Sequence, residues 1–505
     1  MTSELEFILK KAQKLIRQKK IAPAETLLLD EYKDWANHPL INMALGEIFF
    51  LKRDATRSLQ YLEIAYEHGK NIPGVVISFA EKLSLNDEIT RAKGVLQVAL
   101  LNSPCDKGLL KSYANFCQTD QNPLESLKFN SRLLLLFPDD STIHANIAEV
   151  YAALDNHEKS LEHQNIAIKY DSGSQIRLNR AITLLTMEKY QEGWAEYESR
   201  LGHDIISSPR RRLRIPRWNR QPLQNKTILV CSEQGVGDEL YFSSYLPRLI
   251  EISGRVILET DPRLIQLFKE SLGEINVFPY SRRLAYEQPV FNYGWLPKSI
   301  YPDFYIDLAS LPNFLFEEGI KPLNKFGYLK ISKNTHDYWT KYLFEISSGR
   351  PIVGLCWRSG LNTTDRQHWY PPLNLWEQVL TIPDICFLSL QYDDDDEDIR
   401  FFKEQFDVSF IKLSNIDLKN DFKNLGAICT ALTGVISPST TVAHLAAAVG
   451  KRTIIVEKTR TWCPRVNGFD TFLPCIRRIF PPNAGDWEWV FNNARKELSN
   501  WLLDE

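Results

Sequence analysis

TILVCSEQGVGDELYFSSYLPRLI, residues 227–250, decides the fold class of the larger part of this chain. TILVCSE (Thr227–Glu233) is a short apolar run and reads as a buried strand. ELYFSSYLPRLI (Glu239–Ile250) reads as a helix. EQGVGDELYF joins them, so Gln234, Gly235 and Gly237 occupy a strand-to-helix turn. At such a turn helix N-terminal amides face a ligand.

From Thr227 onward strands alternate with helices, as in doubly wound α/β folds. The first set is TILVCS, RVILET (255–260), INVFPY (275–280) and FYIDL (304–308). After the polar stretch SKNTHDYWTKY comes a second set: IVGLCW (352–357), ICFLSLQY (385–392), VSFIKL (408–413), GVISP (434–438) and TIIVEK (453–458). Two sets in succession predict two Rossmann-like domains facing a cleft. DWEWVFNNARKELSNWLL reads as a terminal helix, and in such a fold it crosses back to the first half.

The first 200 residues obey another rule. Small residues recur every 34 positions, at Ala12, Gly46, Ala80, Ala114 and Ala148. Twelve residues after each comes a second set, Ala24, Ser58, Ala92, Ser126 and Ser160. Leu15, Phe49, Leu83, Cys117 and Tyr151 lie three residues after the first set. A small residue where two helices cross lets them pack closely. Period and residue types resemble the tetratricopeptide repeat, a helix–turn–helix unit. The expectation is an all-α superhelical repeat domain over 1–200, with a groove for a protein. A sixth, atypical repeat, QIRLNRAITLLTMEKYQEGWAEYESRL, caps the stack or joins it to the next domain.

Composition narrows the classes. The 505 residues predict several domains. A net charge of −3 argues against a general nucleic-acid binder. No apolar run is long enough to span a bilayer, and the N-terminus lacks a signal-peptide core. Eight scattered cysteines without a CxxC pair suit reduced thiols in a cytoplasm. PRRRLRIPRWNRQPL (209–223) carries six arginines and reads as a solvated crossover. Contact with phosphate or an anionic lipid is the other reading of it.

A second strand-to-helix turn, ISPSTTVAHLAAAVGK (436–451), offers Ser439, Thr440 and Thr441 as caps of a small-residue helix that carries His444. Its amides and hydroxyls form an anion site best suited to a diphosphate. IVGLCWRSG delivers Arg358 to the same strand edge, where it can grip a phosphate oxygen or pair with a carboxylate. The run DDDDED (393–398) suits a helix start better than a metal site. Trp357, Tyr370 and Trp462 are candidates for stacking on a ligand or for core packing.

EQGVGDELYF, DPRL (261–264), SLP (310–312), VGLCWRSG, SLQY and SPSTTVAHLAAAVGK stand in the order seen in bacterial proteins that fuse tetratricopeptide repeats to a glycosyltransferase domain. GWAEYESR (193–200) resembles the segment that leads into that domain. The domain is similar to heptosyltransferases and, more distantly, to O-GlcNAc transferases. The resemblance implies a GT-B fold: a linker at 201–226, an acceptor domain at 227–345, a donor domain at 346–483 and a terminal helix at 484–505. It implies an inverting glycosyltransferase using a nucleotide sugar, with no cofactor or metal, acting on a protein acceptor such as flagellin that docks on the repeats. By position, Asp238 matches the family's base, with Glu239 in reserve. Arg358, Ser439, Thr440, Thr441 and His444 match the diphosphate site, and Gln234, Gly235 and Gly237 the acceptor loop. Ser439 stands where heptosyltransferases have aspartate, and Thr441 where they have glycine. The alternatives are a non-catalytic repeat adaptor with a degenerate transferase domain, or a transferase for a lipid-linked or polysaccharide acceptor.

Overall fold

The computed structural model describes residues 3–120, 122–285, 288–316, 326–360, 369–414 and 416–503. The chain divides into two compact units, Met1–Asp171 and Ser172–Glu505.

The first unit is an all-α solenoid. Its helices run in pairs: Ser3–Arg17 with Ile21–Trp35, Pro39–Leu51 with Ala55–Gly69, Pro73–Leu85 with Ile89–Asn102, Lys107–Thr119 with Pro123–Leu136, and Ser141–Ala153 with His157–Tyr170. Both sets of small residues are buried, Ala12, Ala80 and Ala114 completely, because these are the points where paired helices cross. At Gly46 an added Cβ would lie 2.5 Å from Cγ of Leu62, and the Ser58 hydroxyl donates to the Gly46 carbonyl at 2.8 Å. The small residue thus admits both a leucine and a hydrogen bond from the partner helix. The turns repeat too. Lys19, Arg53, Asp87 and Asp155 all have positive φ, at multiples of the 34-residue period, and position 121 lies outside the described residues. Each lets a helix stop and reverse within three residues. Asp54, Asn122 and Asn156 then cap the following helix through the backbone N–H three residues on.

The second unit is mixed α/β. The atypical sixth repeat, Ser174–Thr186 and Tyr190–Tyr197, belongs to it. Trp194, buried, meets Phe242, Trp462 and Phe472. Nine expected strands appear within three residues of the expected limits, in two sheets. One is parallel, in the order Asn276–Pro279, Arg255–Thr260, Thr227–Cys231, Phe304–Asp307. The other runs Phe410–Ile411, Cys386–Ser389, Ile352–Leu355, Gly434–Ser437, Thr453–Val456 and Ile476–Ile479 in parallel, then Phe469–Asp470 and Arg465–Val466 antiparallel. Central strands such as Ile352–Leu355 and Gly434–Ser437 are buried throughout, as a sheet covered on both faces requires.

A small third sheet, Arg210–Arg211, Gln288–Asn292 and Ser281–Ala285, was not foreseen. Ser281–Ala285 is mostly exposed and the other two strands are half-buried, so the sheet carries no clear apolar alternation. The terminal helix, Trp487–Leu503, does not cross back as expected. It packs on the eight-stranded sheet through Phe491, Leu498 and Trp501, with Trp376 edge-on to Phe491. A Cβ on Gly434 would stand 2.2 Å from the Trp501 ring, so that strand accepts the helix only with glycine there.

The arginine-rich segment is not simply solvated. From Arg211 to Ile215 odd residues turn inward and even ones outward, the period of an extended chain. Arg211 is buried: Nε donates to Asp307 at 2.9 Å, Nη2 to the Ser232 carbonyl at 2.6 Å and Nη1 to the Tyr293 hydroxyl at 2.5 Å. Arg217 pairs with Glu198 and Asp307, and Arg200 with Glu233 at 2.8 Å. Buried cations hold only when paired and hydrogen-bonded, so these carboxylates fix the path of the segment.

Candidate functional site

The two strand-to-helix turns meet. Helix Val236–Phe242 begins at Gly235, and helix Thr441–Ala448 begins after its cap Thr440. The His444 Nδ1–H donates to the Gly237 carbonyl at 2.9 Å. A Cβ on Gly237 would lie 3.3 Å from Thr441 Oγ1 and 3.5 Å from His444 Nδ1. Glycine at 237 therefore lets one turn close on the other.

The expected residues are distributed as follows. Asp238 is half-buried beside Tyr197, whose hydroxyl burial pushes up to about 12, with the Asp238 charge adding to it. Gln234 donates to that hydroxyl at 2.9 Å, and Gly235 is exposed. Glu239 does not face Asp238's surroundings. It is buried, accepting from the Thr260 hydroxyl at 2.6 Å and the Asp261 N–H at 3.0 Å. Burial pushes its carboxyl up to about 7.

The Thr440 and Ser437 hydroxyls are hydrogen-bonded at 2.8 Å, and Thr440 caps its helix by accepting from the Ala443 N–H. Ser439 is exposed and Thr441 half-buried. His444 is buried, and desolvation together with the Arg478 charge brings it down to about 4, so the ring is neutral. Arg358 is held by the acidic run itself: it pairs with Asp393 and Asp398, and Nη2 donates to the Asp394 carbonyl at 2.7 Å. Asp395 and Asp396 pair with Lys412, and the run leads into helix Asp396–Phe406. Trp357 is core, its indole donating to Asp398 at 2.8 Å, while Trp462 stacks on Tyr197 and Phe242. Among the described residues no cluster of three or more His, Cys, Asp or Glu could hold a metal ion.

A buried chain of charge escaped the sequence reading. The Tyr241 hydroxyl donates to Asp470 at 3.0 Å, Asp470 pairs with Arg478 at 2.7 Å, and Arg478 with Glu457 at 2.6 Å. It ties the helix of the first turn to the eight-stranded sheet. Nothing local marks it, because Tyr241 and Asp470 stand 229 residues apart.

Elsewhere in this unit a cavity of about 670 Å³ opens beside the small sheet. Arg212, Arg214, Arg282, Arg283 and Lys298 line it, with Phe291, Tyr293 and Tyr301 among the remaining lining residues.

No family model matches the chain. Among curated proteins it is similar to Protein FlbA of Caulobacter vibrioides, 30% identical over 388 residues, covering 74% of this chain and 64% of that one. It is similar also to the TPR repeat-containing protein YpiA of Bacillus subtilis, 26% identical over 160 residues, covering 31% of this chain and 38% of YpiA. The chain thus spans less than two thirds of the length of either relative. Since the first unit ends at Asp171, the FlbA match runs into the second. Among solved structures, PilW, a type IV pilus biogenesis factor, matches with TM-score 0.37 and 9% identity over 40% of this chain and 94% of PilW. Pseudomonas aeruginosa pilF matches with TM-score 0.35 and 10% identity over 39% of this chain and 92% of pilF. The chain is a tetratricopeptide-like repeat protein related to FlbA. No helix among the described residues is long and apolar enough to cross a membrane.

These findings correct the expectation of a glycosyltransferase. No transferase model matches, and a matched relative whose name states its type is a repeat protein. These findings support neither the nucleotide-sugar donor nor the flagellin acceptor.

Proposed function

We propose that the chain is a non-catalytic adaptor. The repeats of the first unit hold a protein partner. The second unit, a degenerate two-lobed body of GT-B type, serves as a scaffold. In this reading His444 holds one turn against the other through the Gly237 carbonyl, and Arg358 anchors the acidic run.

One observation carries the docking role. Leu51 and Leu85 end the first helices of consecutive repeats, one period apart, and both are exposed, with Phe50 beside them. The repeat's own packing explains buried positions, not an exposed leucine that recurs in register. A partner segment with apolar side chains would cover it.

The test uses the full-length chain. Photocrosslinkers at positions 51 and 85 should give a discrete adduct in the host cell, and L51D/L85D should lose association with the protein so identified while keeping its helical circular dichroism. CMP-, UDP-, ADP- and GDP-sugars should be neither hydrolysed nor transferred. Turnover that Asp238→Asn abolishes would overturn the proposal, as would a variant that still binds the partner normally.

A further inference from the structure

We infer that the cavity beside the small sheet is a binding site for a multiply charged phosphate ligand. The argument begins with the division of the arginine-rich segment. Arg210, Arg211 and Arg217 are used by the fold, each on a named side chain or carbonyl. Arg212 and Arg214, at the outward positions of the same extended stretch, are exposed and line the cavity. Opposite them stand Arg282 and Arg283 on strand Ser281–Ala285, with Lys298 completing the set.

Among the described residues that line this cavity there is no carboxylate. That contrasts with Arg200, Arg211, Arg217, Arg358, Lys412 and Arg478, each matched by Asp or Glu. Five like charges around one concavity repel one another, and packing gains nothing from that arrangement. Two arginines on an edge strand discourage strand pairing, which accounts for Arg282 and Arg283. It does not account for Arg212, Arg214 and Lys298, which belong to other segments. A common anion accounts for all five.

Size and lining select the class of ligand. A cavity of about 670 Å³ is of small-molecule size, too small for a folded partner or a nucleic-acid duplex. Guanidinium groups bind phosphate oxygens in pairs, so four of them suit a ligand with more than one phosphate, or one phosphate on a charged carrier. Phe291, buried at the rear beneath Arg211, and the exposed Tyr301 supply apolar surface for the carrier. The phosphate belongs either to a soluble metabolite or to a lipid headgroup.

Inorganic tripolyphosphate and vesicles of phosphatidylglycerol, with phosphatidylcholine as control, are the probes. The full-length chain should bind tripolyphosphate saturably by calorimetry, more weakly as salt rises, or should float with the anionic vesicles. The first result alone identifies a soluble phosphate, and flotation identifies a headgroup. R212E/R214E should weaken whichever binding occurs by at least about tenfold, because two bidentate charge pairs are lost. Its Tm should not fall, since neither side chain is held by the fold and the change relieves repulsion among the cations. Arg248→Glu, elsewhere on the surface, should bind like the wild type. Three results would overturn the proposal: no saturable binding of either probe, binding indifferent to R212E/R214E, or equal binding of poly-glutamate, which would mean that charge alone is sensed. None of these results depends on whether the repeats hold a partner.

Discussion

Glu239 offers the sharpest quantitative test of how the second unit is built. Its side chain is buried, its ordinary value is near 4.5, and burial raises it to about 7 in the fold. A carboxyl raised on folding binds its proton more tightly in the native state. Stability from this group is therefore greatest in acid and falls as pH rises from the unfolded value through the folded one. A shift of this size corresponds to about 3 kcal/mol lost above pH 7 and about 1 kcal/mol already lost at pH 5. Glu239→Gln removes the titration, keeps the shape and still accepts from Thr260 and Asp261. The variant should gain on the wild type by about 2 kcal/mol between pH 5 and pH 8, measured by urea unfolding at both. Glu259, also near 7, titrates in both proteins and cancels in the difference. A difference that stays flat with pH would refute the reasoning: Glu239 would then be solvated or ion-paired.

Two further changes probe the rest of the molecule. Ala80 is fully buried where helices Pro73–Leu85 and Ile89–Asn102 cross, so Ala80→Leu should cost about 1–3 kcal/mol in thermal or urea unfolding, while the same change at exposed Ala55 should cost little. Arg478→Met leaves Asp470 and Glu457 buried without their cation and should cost about 3–5 kcal/mol, and R478M with D470N and E457Q should recover much of that loss.

Backbone shape and side-chain chemistry are written differently in the sequence. The motifs around Gly237 and Thr441 specify backbone: a strand must stop, turn tightly and enter a helix. That geometry is present at both turns. Chemistry depends instead on what each side chain faces. Arg358 faces three backbone or side-chain oxygens of residues 393–398, and His444 faces a carbonyl of residue 237. Neither partner can be read from spacing, so a likeness of turns carries backbone shape and not what the side chains face.

The amino-acid order alone determined the repeat helices and the nine strands, because both rest on local periodicity: small residues every 34 positions for the crossings, short apolar runs for buried strands. Strand Ile476–Ile479 was hidden for the opposite reason. Its sequence, IRRI, looks solvated, and Arg478 is buried there only because Asp470 and Glu457 arrive from other segments. Tertiary structure alone decided which arginines of residues 210–217 are locked inward and which line a cavity. Arg211 meets Asp307 across 96 residues, and Arg212, one residue on, meets no carboxylate among the described residues of the cavity it lines. A charge in a sequence carries no address. Its role is set by the desolvation and the counter-charges that folding brings to it.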